Sequence, residues 1–234
     1  MKQVQWSQAS RLLIKNWGQG QHLLIIAKNG SGKTYLLFRL MAYMAYVKNA
    51  YSVSVITKPR DATIMQGIMQ MPKVKIVETA NEIKPALKKG YQSIFLRPYT
   101  DNFSTFADVQ KEQISEALQE LWLEGDVLIN IEELRYLSDQ LGLGDEIILL
   151  FTQGRSSGIT LAGTMQRPRW VPIEVKTESR FIIVGTVTSK DDKKYLTGVI
   201  PDSDIELLTT LPYRWFYVYD SLGVIEPFIT TISA

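Results

Sequence analysis

Residues 25–34 read IIAKNGSGKT, and these residue types in this order could hold a triphosphate. Gly30 and Gly32 permit backbone angles that turn successive N–H groups inward toward phosphate oxygens. A helix starting near Lys33 would add the positive end of its dipole. Lys33 would then reach the β- and γ-phosphates, and the Thr34 hydroxyl would hold Mg²⁺. The nucleotide contact comprises Ala27, Lys28, Asn29, Gly30, Ser31, Gly32, Lys33 and Thr34, with ATP and Mg²⁺ as the expected cofactors. Ala27 stands where the pattern G-x-x-x-x-G-K-[ST] has its first glycine. Alanine tolerates most turn angles short of positive φ, so the change is mild.

Such a site also needs carboxylates, one for the metal and one to polarise the attacking water. The stretch DVLINIEEL (126–134) supplies a strand ending in two acids. Glu132 is assigned to the metal shell and Glu133 to the water. A solvated helix N-terminus would also favour two acids there.

The elements that must position these groups follow from alternating apolar runs and helical patterns. Strands are predicted at 22–27, 52–57, 74–78, 92–97, 126–131, 159–165 and 180–186. Helices are predicted over 33–50, 81–89 and 108–123. In the first of these, Leu36, Leu37, Leu40, Met41 and Met44 share one face. YRWFYVYD and GVIEPFIT, joined by SLG, read as a closing hairpin. The expectation is an α/β fold of the RecA-like P-loop NTPase kind (the ASCE division), with a mostly parallel sheet, helices on both faces and a C-terminal β-hairpin. One domain spans 1–234, with 1–20 as an N-terminal extension and 210–234 as the hairpin region.

Composition excludes several chemistries. The 234 residues contain no Cys, which removes disulfides, thiolate metal sites and cysteine nucleophiles and fits an intracellular chain. The single histidine, His22, argues against a histidine metal cluster or a Ser-His triad and reads as structural. The longest apolar stretch carries Arg39 and no transmembrane segment is expected. A net charge of +2 does not describe a surface coated in nucleic acid. It leaves room for a local basic patch, or for a ring lumen lined by a few cations per subunit.

The segment GRSSGITLAGTMQRP (154–168) separates the ATPase classes. It resembles the FtsK–HerA superfamily of ring-shaped DNA-pumping ATPases, whose pattern is Gly-Arg, two small residues, Gly, an apolar strand and Thr-x-Gln-Arg-Pro. The similarity runs over roughly residues 20–220. It implies that Gln166 senses the γ-phosphate and that Arg155 reaches the neighbouring subunit's nucleotide, with Arg135, Arg167 and Arg169 as other candidates for that finger. The chain has neither spanning helices nor an added N-terminal β-barrel, so it looks like the stand-alone genome-packaging ATPases of membrane-containing icosahedral viruses. The resemblance further implies hydrolysis coupled to translocation of double-stranded DNA without regard to sequence, a homo-oligomeric ring such as a hexamer, capsid or membrane-vertex partners, and a place in the host cytoplasm or the virion.

Two segments could touch DNA. One is RPYTDNFSTFAD (97–108), with Arg97, Tyr99, Phe103 and Phe106; the other is QRPRWVP (166–172), with Arg167, Arg169 and Trp170. SKDDKK (189–194) reads as a solvated turn. Two other functions stay open. A small-molecule phosphotransferase such as a nucleoside kinase would need an arginine-rich lid. A ParA-like nucleotide switch would use Lys28, whose place in KNGSGKT resembles the deviant loop of that family, although Asn29 stands where that family has glycine.

Overall fold

A computed structural model describes residues 1–58 and 60–232, and Trp170 by its backbone alone. The elements run β1 (Lys2–Gln3), α1 (Trp6–Asn16), β2 (His22–Ile26), α2 (Lys33–Lys48), β3 (Ser52–Val55), α3 (Ala62–Ile68), β4 (Val74–Val77), α4 (Ile83–Lys88) and β5 (Ser93–Leu96). They continue with α5 (Phe106–Glu124), β6 (Leu128–Ile131), α6 (Gly144–Gln153), β7 (Thr160–Met165), α7 (Ile173–Thr177) and β8 (Ser179–Val184). The chain closes with α8 (Lys190–Leu196), α9 (Asp202–Ile205), α10 (Leu207–Thr210), β9 (Trp215–Asp220) and β10 (Phe228–Thr231).

The strands form a ten-stranded sheet in the order β1-β10-β9-β8-β2-β7-β6-β3-β5-β4. From β8 to β4 every pairing is parallel, and β9 is antiparallel to both its neighbours. Side chains alternate across a strand, so β2 feeds two cores. Leu24 and Ile26 join the cluster with α4, α5 and α6, while Leu23 and Ile25 join the one with α1, α2 and α3. Burial on both faces explains why β2 reads as a continuous apolar run.

Several expectations change in detail. The predicted face of α2 is buried, but so are Phe38 and Ala45, because the helix lies between the sheet, α1 and α3. Phe38 stacks on Phe95 at 6.0 Å and lies against Gly67. The helix ends at Lys48, where Asn49 takes left-handed angles (φ 53°). Residues 1–20 are built into the fold: Lys2 and Gln3 pair with Phe228 and Ile229, and α1 buries Ala9, Leu13 and Ile14. The hairpin loop is longer than SLG. Asp220 accepts from the N–H groups of Leu222 and Ile225 and from Arg180, which holds 221–227 in a loop until pairing resumes at Phe228. Residues 190–194 begin a helix, capped by Ser189, instead of a turn. Ser233 and Ala234, at the end of the expected hairpin region, lie outside the described residues.

His22 is 2% exposed and holds β2 in place. Its Nδ1 accepts from the Leu161 N–H, which leaves Nε2–H to donate to the Phe151 carbonyl. That arrangement needs the neutral ring, and burial lowers its pKa to about 4. Between pH 6.5 and that value the unfolded chain binds a proton that the folded chain refuses. Stability is full above about pH 6.5 and falls as the pH drops, by about 2 kcal/mol on reaching about pH 5. Denaturant titrations at several pH values should show this slope, and His22→Asn should remove it.

Candidate active site

The strand β2 and helix α2 leave 27–32 at the carboxyl edge of the sheet, the usual ligand edge of an open α/β sheet. Gly30 and Gly32 adopt φ of 76° and 90°, the positive values the phosphate loop was expected to need, whereas Ala27 is not among the positive-φ residues. A cavity of about 400 Å³ opens here. Its wall includes Asn29, Lys33, Thr34 and Glu132.

Strand order decides what faces the loop. β7 and β6 follow β2 on one side, so Gln166 after β7 and Glu132 and Glu133 after β6 project from the same edge. Asn130, the polar residue inside β6, donates from Nδ2 to Ser54 Oγ on β3 at 3.2 Å, while its Oδ1 is buried without a hydrogen-bond partner. Thr34 Oγ1 donates to Glu132 Oε1 at 3.2 Å. Gln166 Nε2 donates to Glu133 Oε2 at 2.9 Å. The Thr164 hydroxyl bonds the Glu132 carbonyl and anchors the first acid to the neighbouring strand.

Both acids are buried, at 3% and 8% exposure. Burial raises the pKa of the Glu132 carboxyl, and Lys58 opposes the shift. Burial likewise lowers the pKa of the Lys33 ammonium, opposed chiefly by Glu133. The residues fit a divalent cation bound with the nucleotide. Thr34 Oγ1 and Glu132 Oε1 are hard oxygen donors side by side, and Glu132 Oε2 is buried without a hydrogen-bond partner.

Sequence reading missed Lys58, whose Nζ lies 3.9 Å from Glu132 and 3.8 Å from Glu133. It also missed Asp61, which lines the cavity while its carboxylate caps α3, and Arg214, which lines it from the loop before β9. A lysine and an arginine in loops carry no pattern that distinguishes them from solvated charges; only the strand order brings them here.

A second cavity, of about 340 Å³, adjoins the acids and is lined by Lys58, Phe106, Glu133, Arg135, Tyr136 and Gln166 among others. Residues 136–140 wind as a π-helical turn on its wall, a geometry common at functional sites.

Arg155 is not brought to this site. It sits in the turn of 154–157 before β7, with its side chain against Gly20 and its charge near His22. That is the amino edge of the parallel strands, a strand length or about 17 Å from the phosphate loop. Arg169 pairs with Asp191 at 3.3 Å, and Arg135 with Asp139 at 3.6 Å. Lys28 donates to Thr188 Oγ1 at 2.7 Å, within its own chain, and is not part of the cavity wall. Of the two candidate DNA segments, 97–108 follows β5 and 166–172 follows β7, both at the carboxyl edge. Phe103 is 96% exposed, and the side chain of Trp170 lies outside the described residues. Among the described residues no helix is long and apolar enough to cross a membrane.

No family model matches the chain. It is 20% identical over 192 residues to the DNA packaging ATPase P9 of Enterobacteria phage PRD1, covering 82% of this chain and 75% of that protein. Its backbone is similar to the genome packaging NTPase B204 of Sulfolobus turreted icosahedral virus 2 in complex with sulfate, with a TM-score of 0.66, 15% identity, and coverage of 92% of this chain and 97% of that one. The same NTPase in complex with AMPPCP matches with a TM-score of 0.66 at 14% identity, over 89% of this chain and 96% of that one. The chain thus shares its fold with the genome packaging NTPase B204, and on that fold Thr34 of the glycine-bearing loop meets Glu132 while Gln166 meets Glu133.

Proposed function

We propose that the protein hydrolyses ATP to drive double-stranded DNA into a viral capsid. The observation that carries the hydrolytic part is the Gln166–Glu133 hydrogen bond at 2.9 Å beside the phosphate loop. It ties the residue that would sense a terminal phosphate to the carboxylate that would take a proton from water.

Lys33 and the loop N–H groups hold the β- and γ-phosphates, and Thr34 and Glu132 would hold Mg²⁺, which when bound would neutralise charge on the phosphates. Glu133 orients the attacking water and accepts its proton, and Gln166 links that carboxylate to the terminal phosphate. Arg155 acts on the nucleotide of an adjoining copy, since its own lies at the far edge of the sheet. The copies form a ring, with six as the expected number, and the 234 residues read as one working domain.

DNA is gripped by the 97–108 segment, which carries the exposed Phe103 and Tyr99. Arg97 of this segment and Arg169 of the 166–172 segment each pair with an acid, Glu78 and Asp191, so the exposed aromatic is what favours the first segment. Repeated weak contacts to phosphates suit a pump and require no high net charge. The protein works in the host cytoplasm or on the virion, with capsid or vertex proteins as partners. The relative named as a DNA packaging ATPase and the likeness to a packaging NTPase support this reading over phosphotransfer to a small molecule. The Lys28 bond to Thr188 gives no support to a switch acting through that lysine.

The test is phosphate release with and without double-stranded DNA, paired with mass by light scattering in the presence of a non-hydrolysable ATP analogue. DNA-stimulated release from a ring is expected. Full-speed release from isolated chains, indifferent to DNA, would overturn the motor reading.

A further inference from the structure

The phosphate cavity has a second wall that the catalytic residues do not use. Strand order places β7 and β6, with Gln166, Glu133 and Glu132, on one side of β2, and β8 and β9 on the other. With the acids at the γ-phosphate end, as the proposed function has them, the side toward β9 would take the α-phosphate and the nucleoside.

Residues from the C-terminal hairpin close that end. Tyr213 Oη donates to the Gly30 carbonyl at 2.6 Å. Ile232 packs so tightly over the loop that a Cβ on Gly32 would lie 2.9 Å from its Cδ1. The Ile232 N–H in turn donates to the Arg214 carbonyl, joining the two strands of the clamp. Arg214 and Ile232 both line the cavity.

Arg214 itself is held in an unusual way. Its φ is 63°, a left-handed backbone that costs a non-glycine residue free energy and persists where the surroundings enforce it. Its guanidinium lies 5.4 Å from the Tyr213 ring centroid, so the ring that anchors the loop also orients the cation. Among the described residues Arg214 makes no salt bridge with a carboxylate. A planar cation that shares this cavity wall with Asp61 and Glu132 but pairs with neither suits a phosphate oxygen.

We propose that Arg214 binds the α-phosphate end of the nucleotide held by its own chain, with Tyr213 positioning it. This rests on the phosphate-site reading above and assigns the hairpin a part in holding nucleotide. The contact is made equally to di- and triphosphates, unlike one at the γ end.

The test is direct titration of ADP and of a non-hydrolysable ATP analogue into the wild-type chain, Arg214→Ala and Arg214→Lys. Arg214→Ala should weaken both nucleotides by the same factor, about tenfold or more, and Arg214→Lys by less. Thermal melts establish that the variants are folded; all three side chains meet the same backbone strain, so folding is not expected to separate them. Arg214→Ala binding within about twofold of wild type for both nucleotides would overturn the proposal. So would a loss confined to the triphosphate, which would place the guanidinium at the γ end. If the wild-type chain bound neither nucleotide while remaining folded, the phosphate-site reading itself would fall.

Discussion

Glu133→Gln should lower ATP turnover about 10²- to 10⁴-fold while leaving ATP binding close to wild type. The change keeps size and shape and removes the basic oxygen. The Gln166 amide that donates to Glu133 Oε2 could still donate to the new carbonyl, so the local network persists. The phosphate contacts proposed for the loop and Lys33 are untouched. The variant therefore isolates proton acceptance from substrate capture. Phosphate release in steady state, with binding of a fluorescent nucleotide in parallel, separates the two. Lys33→Ala provides the contrast, because it removes the cation proposed to hold the phosphates and should reduce both readings. Turnover of Glu133→Gln within about fivefold of wild type would move the role of base elsewhere, since loss of a positioned base costs far more.

Arg155→Ala should cost about 10³- to 10⁵-fold in turnover, the range expected of a cation lent to the transferring phosphoryl group. The position of Arg155 makes a further demand. Its turn lies at the amino edge of β7, against Gly20, while the phosphate loop lies at the carboxyl edge of β2. No side chain spans a strand length, so Arg155 serves a site on another copy or no site at all. Nucleotide binding by isolated Arg155→Ala chains should accordingly match wild type. Mixing Arg155→Ala with Lys33→Ala, each inactive alone, should restore turnover, because some junctions then join an intact loop to an intact arginine. Failure to complement, with ring assembly preserved, would transfer the finger to another candidate. Arg135, on the wall of the cavity beside Glu133, would be the next to replace.

Much of this site was legible in residue order because its geometry is local. A strand, a short glycine-bearing turn and a helix are contiguous in IIAKNGSGKT, and the backbone angles follow from the glycines at 30 and 32. Glu132 and Glu133 were legible for the same reason, at the end of a short apolar run that read as a strand. The partnership of Gln166 with Glu133, 33 residues apart in the chain, was not local. It depends on β6 and β7 being neighbours with Ile131 opposite Gly163.

Other features leave no trace in order or periodicity. The two residues of β1 are too short to show alternation, and they pair with β10 at the other end of the chain. Lys58 and Arg214 look like ordinary loop cations until the sheet order sets one beside the acids and the other beside Ile232. Residue types and spacing thus specified the geometry of the candidate phosphate loop, since that geometry is built from adjacent backbone. Which further charges surround it, and which edge Arg155 occupies, was settled by strand order, because pairing between distant segments depends on the packing of the whole sheet.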